Sequence, residues 1–141
     1  LEFIPLFDCN TYVYVWKKNP IASKSSVSLQ ELEKYPCLTF DQGKTNSFYF
    51  AEEVFSTYEY KQTIQVDDRA SMLNLMVGLN GYTLCSGIIC EELNGSDYAA
   101  VPLKETEVMT IGYVKRKSIQ LSELAQLYVN ELAKYKNLVL K

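Results

Sequence analysis

Histidine is missing from all 141 residues. Its absence removes Ser-His and Cys-His catalysis, imidazole proton shuttling and most zinc sites together. Cysteine is scarce: Cys9, Cys37, Cys85 and Cys90 stand beside apolar or small neighbours, with no C-x-x-C pair among them. Such spacing supports neither a metal cluster nor a redox dithiol, and it reads as reduced, metal-free thiols of a cytoplasmic protein. No cofactor motif is present, so no cofactor is expected. No apolar run approaches the roughly eighteen residues of a membrane span, and the first residues lack the basic-then-apolar order of an export signal, so no membrane partner is expected. Basic charge is thin as well. The net charge is -3 and only Lys115-Arg116-Lys117 is locally basic, which argues against a phosphate-backbone binder.

What is present is an ordinary globular composition, 48% hydrophobic and 22% charged with an excess of tyrosine, enough for one domain or one domain plus part of a second. The chain opens on Leu1 inside an apolar, strand-like stretch, which implies a truncation within a longer protein. Tyr12 to Trp16 is an aromatic and β-branched run and predicts a strand, with Leu1 to Leu6 a short extended piece before it. Asn19-Pro20 breaks the chain. Ser28 followed by Glu31 forms a capping box, with Val27 and Leu32 as hydrophobic staple, so a short helix starts at Leu29 and ends before Pro36. Cys37 to Phe40 predicts a strand running into the loop Asp41-Gln42-Gly43, and Phe48, Ala51, Val54, Phe55 and Tyr58 predict a helix after it.

Thr63 to Val66 follows as a strand, and Asp67 or Asp68 caps a helix so rich in Met and Leu that it predicts burial on most sides. Asn80-Gly81 stops that helix before a strand at Tyr82 to Cys85 and a turn at Ser86-Gly87. Tyr98 to Leu103 and Val108 to Lys115 are the last strands, and a helix from Ser122 carries Leu124, Tyr128, Leu132 and Tyr135 in one stripe. Strands alternating with helices at this spacing predict α/β layering around a largely parallel sheet. Ile4-Pro5-Leu6 and its strand also echo Val101-Pro102-Leu103 and its strand, which suggests two similar long strands leading into and out of a central unit.

In an open α/β sheet, ligands bind beyond the carboxyl ends of strands, where helix N-termini offer amide donors. Three such ends are visible in the sequence. They present Thr39, Phe40, Gln42, Gly43, Thr45 and Ser47 at the first, Asp67, Arg69 and Ser71 at the second, and Ser86 and Gly87 at the third. Each Ser, Thr or Asp has an ordinary task as a helix cap, and Arg69 an ordinary ion pair with Asp67 or Asp68. The convergence of three ends points to a small polar or anionic ligand. Paired carboxylates for acid-base work could come from Asp67 and Asp68, yet adjacent side chains diverge and no nucleophile accompanies them, so the chain reads as a non-enzyme.

With these positions laid out, the chain resembles the C-terminal part of the effector-binding domain of LysR-type transcriptional regulators. The likeness rests on Pro5-Leu6 and the strand to Trp16, then Asn19-Pro20-Ile21-Ala22 in place of the family's frequent His-Pro-Leu-Ala. It continues through Val27-Ser28-Leu29-Gln30-Glu31-Leu32, Tyr35-Pro36-Cys37-Leu38, the stretch from Leu75 to Ser86 with Asn80-Gly81, and Val101-Pro102-Leu103 with the helix from Leu121.

The resemblance implies a type II periplasmic-binding-protein-like α/β fold, a three-layer αβα sandwich truncated at the N-terminus. Residues 15–106 would form the second subdomain, and 1–14 and 107–141 the crossing strands and the remainder of the first. It implies a small-molecule effector in an interlobe cleft, and DNA contact only through a missing N-terminal helix-turn-helix. Loss of the first lobe's contacts would weaken effector binding, and uncovered apolar surface on the last helix would favour a homo-oligomer. The competing reading on the same fold is an extracytoplasmic solute-binding protein of a transporter, which would carry an export signal upstream.

Overall fold

The structure, a computed structural model, describes residues 1–41, 59–105 and 107–136. The chain divides into two compact units, one of Asn10–Glu107 and one of Leu1–Cys9 with Val108–Lys141.

The first of these is built on a five-stranded sheet. Its strands are β2 (Tyr12–Trp16), β3 (Cys37–Phe40), β4 (Thr63–Val66), β5 (Tyr82–Cys85) and β6 (Tyr98–Pro102), arranged in the order β4-β3-β5-β2-β6. β3 runs parallel to β4 and β5, whereas β2 runs antiparallel to both β5 and β6. Four strands therefore point one way and β2 alone points the other. Proline is tolerated at Pro102 because it ends β6, an edge strand.

Period-2 alternation sorts the core onto two faces. On β2, Val13 and Val15 join Ile21, Val27, Leu29, Leu32, Cys37, Tyr82, Val101 and Leu103 on one side, while Tyr14 joins Leu38, Val66, Met72 and Met76 on the other. The first face is covered by a 3-10 turn (Pro20–Ser23) and α1 (Leu29–Leu32), the second by α2 (Arg69–Gly78). Helix, sheet and helix make three layers. Each fully buried Val or Leu in these clusters contributes on the order of 1.5–3 kcal/mol through removal from water.

Capping fixes where the helices begin. The Ser28 side chain accepts from the Glu31 amide, and the Glu31 carboxylate accepts from the Ser28 amide at 2.9 Å, the reciprocal box read in the sequence. Val27 and Leu32, its staple, are both fully buried. α2 differs from its expectation. Met72 and Met76 face the sheet, but Leu79 is 48% exposed and Asn74 and Gly78 face water, because a helix covering one face of a sheet buries only a stripe. At its end Asn80 takes the left-handed conformation at φ 55°, and Gly81 is needed for another reason: a Cβ there would meet the Pro36 carbonyl at 3.0 Å.

The second unit pairs β1 (Glu2–Asn10) with β7 (Val108–Lys115), followed by α4 (Glu123–Ala133). The Thr110 hydroxyl donates to the Asp8 carboxylate at 2.6 Å, the Cys9 thiol to the Met109 carbonyl at 3.5 Å, and Lys115 pairs with Glu2 at 2.6 Å. These contacts run in opposite directions along the two strands. β1 is longer than the extended piece read at Leu1 to Leu6: it runs on to Asn10, with Phe7 and Cys9 buried and Asp8 between them exposed. On α4, Ala125, Val129 and Leu132 are half-buried, while Leu124, Leu127 and Tyr128 are 78%, 61% and 66% exposed. The stripe read through Leu124, Tyr128 and Leu132 is therefore split between a packed and an open face.

Candidate functional site

Strand register builds one polar rim from residues far apart in sequence. Phe40 stands beside Val66, and because Cys37 stands beside Tyr82, the ends of β3 and β5 reach the same edge of the sheet. Tyr12, at the start of the antiparallel β2, pairs with both Cys85 and Pro102 and extends the row. Residues leaving β4 and β5 at this edge include Asp67, Arg69 and Ser71 on one side and Ser86 and Gly87 on the other, so the two groups stand at one edge of the sheet with β3 between their strands. Phe40 packs with the cluster under α2, which turns Thr39 to the opposite face. Gln42, Gly43, Thr45 and Ser47 lie outside the described residues.

Local bonding shows what each group is occupied with. Asp68 caps α2, accepting from the Ser71 amide at 2.8 Å, and the Ser71 hydroxyl and amide hold its carboxyl below the usual Asp range. Arg69 donates to the Asn94 side chain at 3.1 Å instead of pairing with Asp67 or Asp68. The reason is that the Asp68 carboxylate is already turned onto the helix end. The Ser86 hydroxyl accepts from the Ile88 amide at 3.4 Å, and the Gly87 amide donates to the Cys85 sulfur at 3.3 Å, a weak acceptor. Gly87 itself is required. Its φ of +78° favours glycine, and a Cβ there would stand 2.6 Å from the Tyr12 ring.

Two residues were not read as site residues from sequence. Tyr12 is half-buried and its ring lies against Gly87 at the rim. Tyr14 is buried below it on the same face, stacked on Tyr98 with ring centroids 5.3 Å apart. Burial pushes the Tyr14 phenol up, with the neighbouring Tyr98 adding to it and the Arg69 charge opposing it. The available signal was the period-2 spacing of Tyr12 and Tyr14 in β2, which places both on one face; their aromatic character reads equally well as packing.

The arrangement presents hydrogen-bonding groups and a cation around an aromatic floor. Among the described residues no group of three or more His, Cys, Asp or Glu is placed to hold a metal ion. Nor is any of the described helices long and apolar enough to cross a membrane.

A family model described as the LysR substrate binding domain matches residues 1–136. The chain belongs to this family. Its fold is accordingly the type II periplasmic-binding-protein-like α/β fold, and this LysR chain is an effector-binding domain of a transcription regulator's kind. Among solved structures it is similar to HinK, a LysR family transcriptional regulator from Pseudomonas aeruginosa, with 18% identity and a TM-score of 0.65 over 96% of this chain and 47% of that one. A mutant of OxyR from Corynebacterium glutamicum gives 20% identity and a TM-score of 0.67 over 98% of this chain and 44% of that one. The effector binding domain of QuiR, solved in complex with shikimate, gives 20% and 0.61 over 96% of this chain and 65% of that one. The LysR chain thus spans about half the length of the two regulators. No curated protein matches it.

Proposed function

We propose that the polar rim of the Asn10–Glu107 unit binds a small polar or anionic metabolite, and that this binding, in the complete cytoplasmic regulator, controls DNA binding by an N-terminal helix-turn-helix. The observation that carries the reading is the convergence of the ends of β3, β4 and β5 and the N-terminus of α2 on one sheet edge. The proposed site residues are Phe40, Asp67, Arg69, Ser71, Ser86 and Gly87, joined by Tyr12, with Thr39 beneath them; Gln42, Gly43, Thr45 and Ser47 extend the proposal to residues outside the described ones. Ligation without catalysis fits a rim holding caps, a guanidinium and an aromatic ring. QuiR, whose effector domain was solved with shikimate, supports a ligand of this size and polarity. The test is a thermal-shift screen of metabolites on the chain, followed by calorimetry on Ser86→Ala. A metabolite that stabilises the chain and binds Ser86→Ala several-fold more weakly supports the site; stabilisation indifferent to that substitution contradicts it.

We also propose that the chain self-associates through α4, whose Leu124, Leu127 and Tyr128 face solvent. Sedimentation should find a species heavier than the monomer. Leu124→Glu should shift it toward the monomer, and a monomeric wild type would overturn the proposal.

A further inference from the structure

Tyr14 carries a polar group that the fold leaves unused. The residue is only 7% exposed, its hydroxyl is sealed from solvent, and that hydroxyl has no hydrogen-bond partner. A buried, unpaired hydroxyl costs free energy that phenylalanine at the same position would avoid, so its presence asks for a partner that the fold itself does not supply. The ring sits opposite Thr83 and Ala100, one pleat inside the rim, and packs with Val66 at the end of β4 and Met72 in the first turn of α2. Arg69 occupies that same turn. Its charge acts on the Tyr14 phenol against the effect of burial, so the guanidinium lies within electrostatic reach of the phenol. Asn94 engages one guanidinium N–H of the five available.

We propose that the Tyr14 hydroxyl is the buried donor of the effector site and that, together with the Arg69 guanidinium, it binds a carboxylate of the effector. This rests on the reading of the rim as the effector site and adds the chemical class of the ligand and a specificity-determining residue. A carboxylate offers two coplanar acceptors, one for the phenol and one for the guanidinium fork, at a helix N-terminus that favours a single negative charge. A phosphate dianion fits less well, since Asp67 and Asp68 flank the same turn and would repel the second charge. Because the hydroxyl is sealed, entry requires a neighbouring side chain to yield. Ile89 packs against this cluster from the irregular segment between β5 and α3 (Glu91–Asn94), and it is the side chain proposed to move.

The test uses the whole chain and a panel of small hydroxy- and oxo-carboxylic acids, shikimate among them, each matched with its uncharged primary amide. At least one acid should bind the wild type, with its amide bound far more weakly. Tyr14→Phe should melt at or above the wild-type temperature, because the hydroxyl it removes has no partner, yet bind that acid roughly tenfold or more weakly. Arg69→Gln should weaken the same acid, and Arg69→Lys should restore part of the loss. Undiminished acid binding by Tyr14→Phe, equal binding of acid and amide, or no binding by any acid overturns the proposal. If an uncharged metabolite binds instead and Ser86→Ala weakens it, the effector-site reading stands while the carboxylate assignment falls.

Discussion

Asn19 shows how one buried polar side chain can fasten two elements. It is 2% exposed, accepts from the Ile21 amide at 2.8 Å and donates to the Asn80 carbonyl at 3.0 Å, tying the 3-10 turn to the end of α2. Asn19→Ala leaves both backbone groups without these bonds, and denaturant unfolding should show a loss of about 2 kcal/mol or more. Gly87 is constrained twice, so Gly87→Ala should cost roughly 1–3 kcal/mol, and adding Tyr12→Ala should recover the steric part but not the cost of the positive φ. Glu31 sets a pH dependence. The Lys24 ammonium first, then the Ser28 amide and the Lys104 ammonium, hold its carboxyl far below the usual Glu range. A depressed folded value means the contribution is complete above the unfolded value of about 4.3 and fades as pH falls toward the folded one. Acid unfolding of Glu31→Gln should therefore show a shallower loss of stability below about pH 4.3 than wild type. The effect should be modest because the groups are partly exposed.

Elements whose limits are written in local chemistry were legible in the sequence. α1 begins at Leu29 because Ser28 and Glu31 satisfy each other's amides, and its first amide also reaches the Glu105 carboxylate at 3.1 Å. Ser28→Ala should lower stability by about 1 kcal/mol, measured by thermal or denaturant unfolding, with the strands unaffected in circular dichroism. β2, β3, β4, β5 and β7 likewise coincide with runs of β-branched, aromatic or small apolar residues. What composition and spacing could not show depends on partners distant in sequence. Whether Arg69 pairs with Asp68 is decided by Asn94, twenty-five residues on, and by the helix end that claims Asp68. Tyr14 reads as packing until the sheet shows that nothing receives its hydroxyl. The split of the α4 stripe into half-buried Leu132 and open Leu124 and Tyr128 is likewise something that periodicity alone does not specify.

At the scale of the molecule, the LysR family assignment and the rim of the Asn10–Glu107 unit support the proposed division of labour, in which a helix-turn-helix outside this chain contacts DNA and the chain itself senses a small molecule. Its net charge of -3 and single short basic run agree with that division of labour, so a gel-retardation assay with promoter DNA should show no sequence-selective, salt-sensitive complex with this chain. The central claim is that the effector lies at the shared edge of β3, β4 and β5, and amide-resolved NMR titration with a metabolite selected by thermal shift tests it most directly. Saturable changes should appear together at Arg69 to Met72 and at Ser86 to Ile88, while the amides of α1 on the opposite sheet face stay put. Saturable changes confined to α1 or to α4, with both rim segments silent, would contradict it.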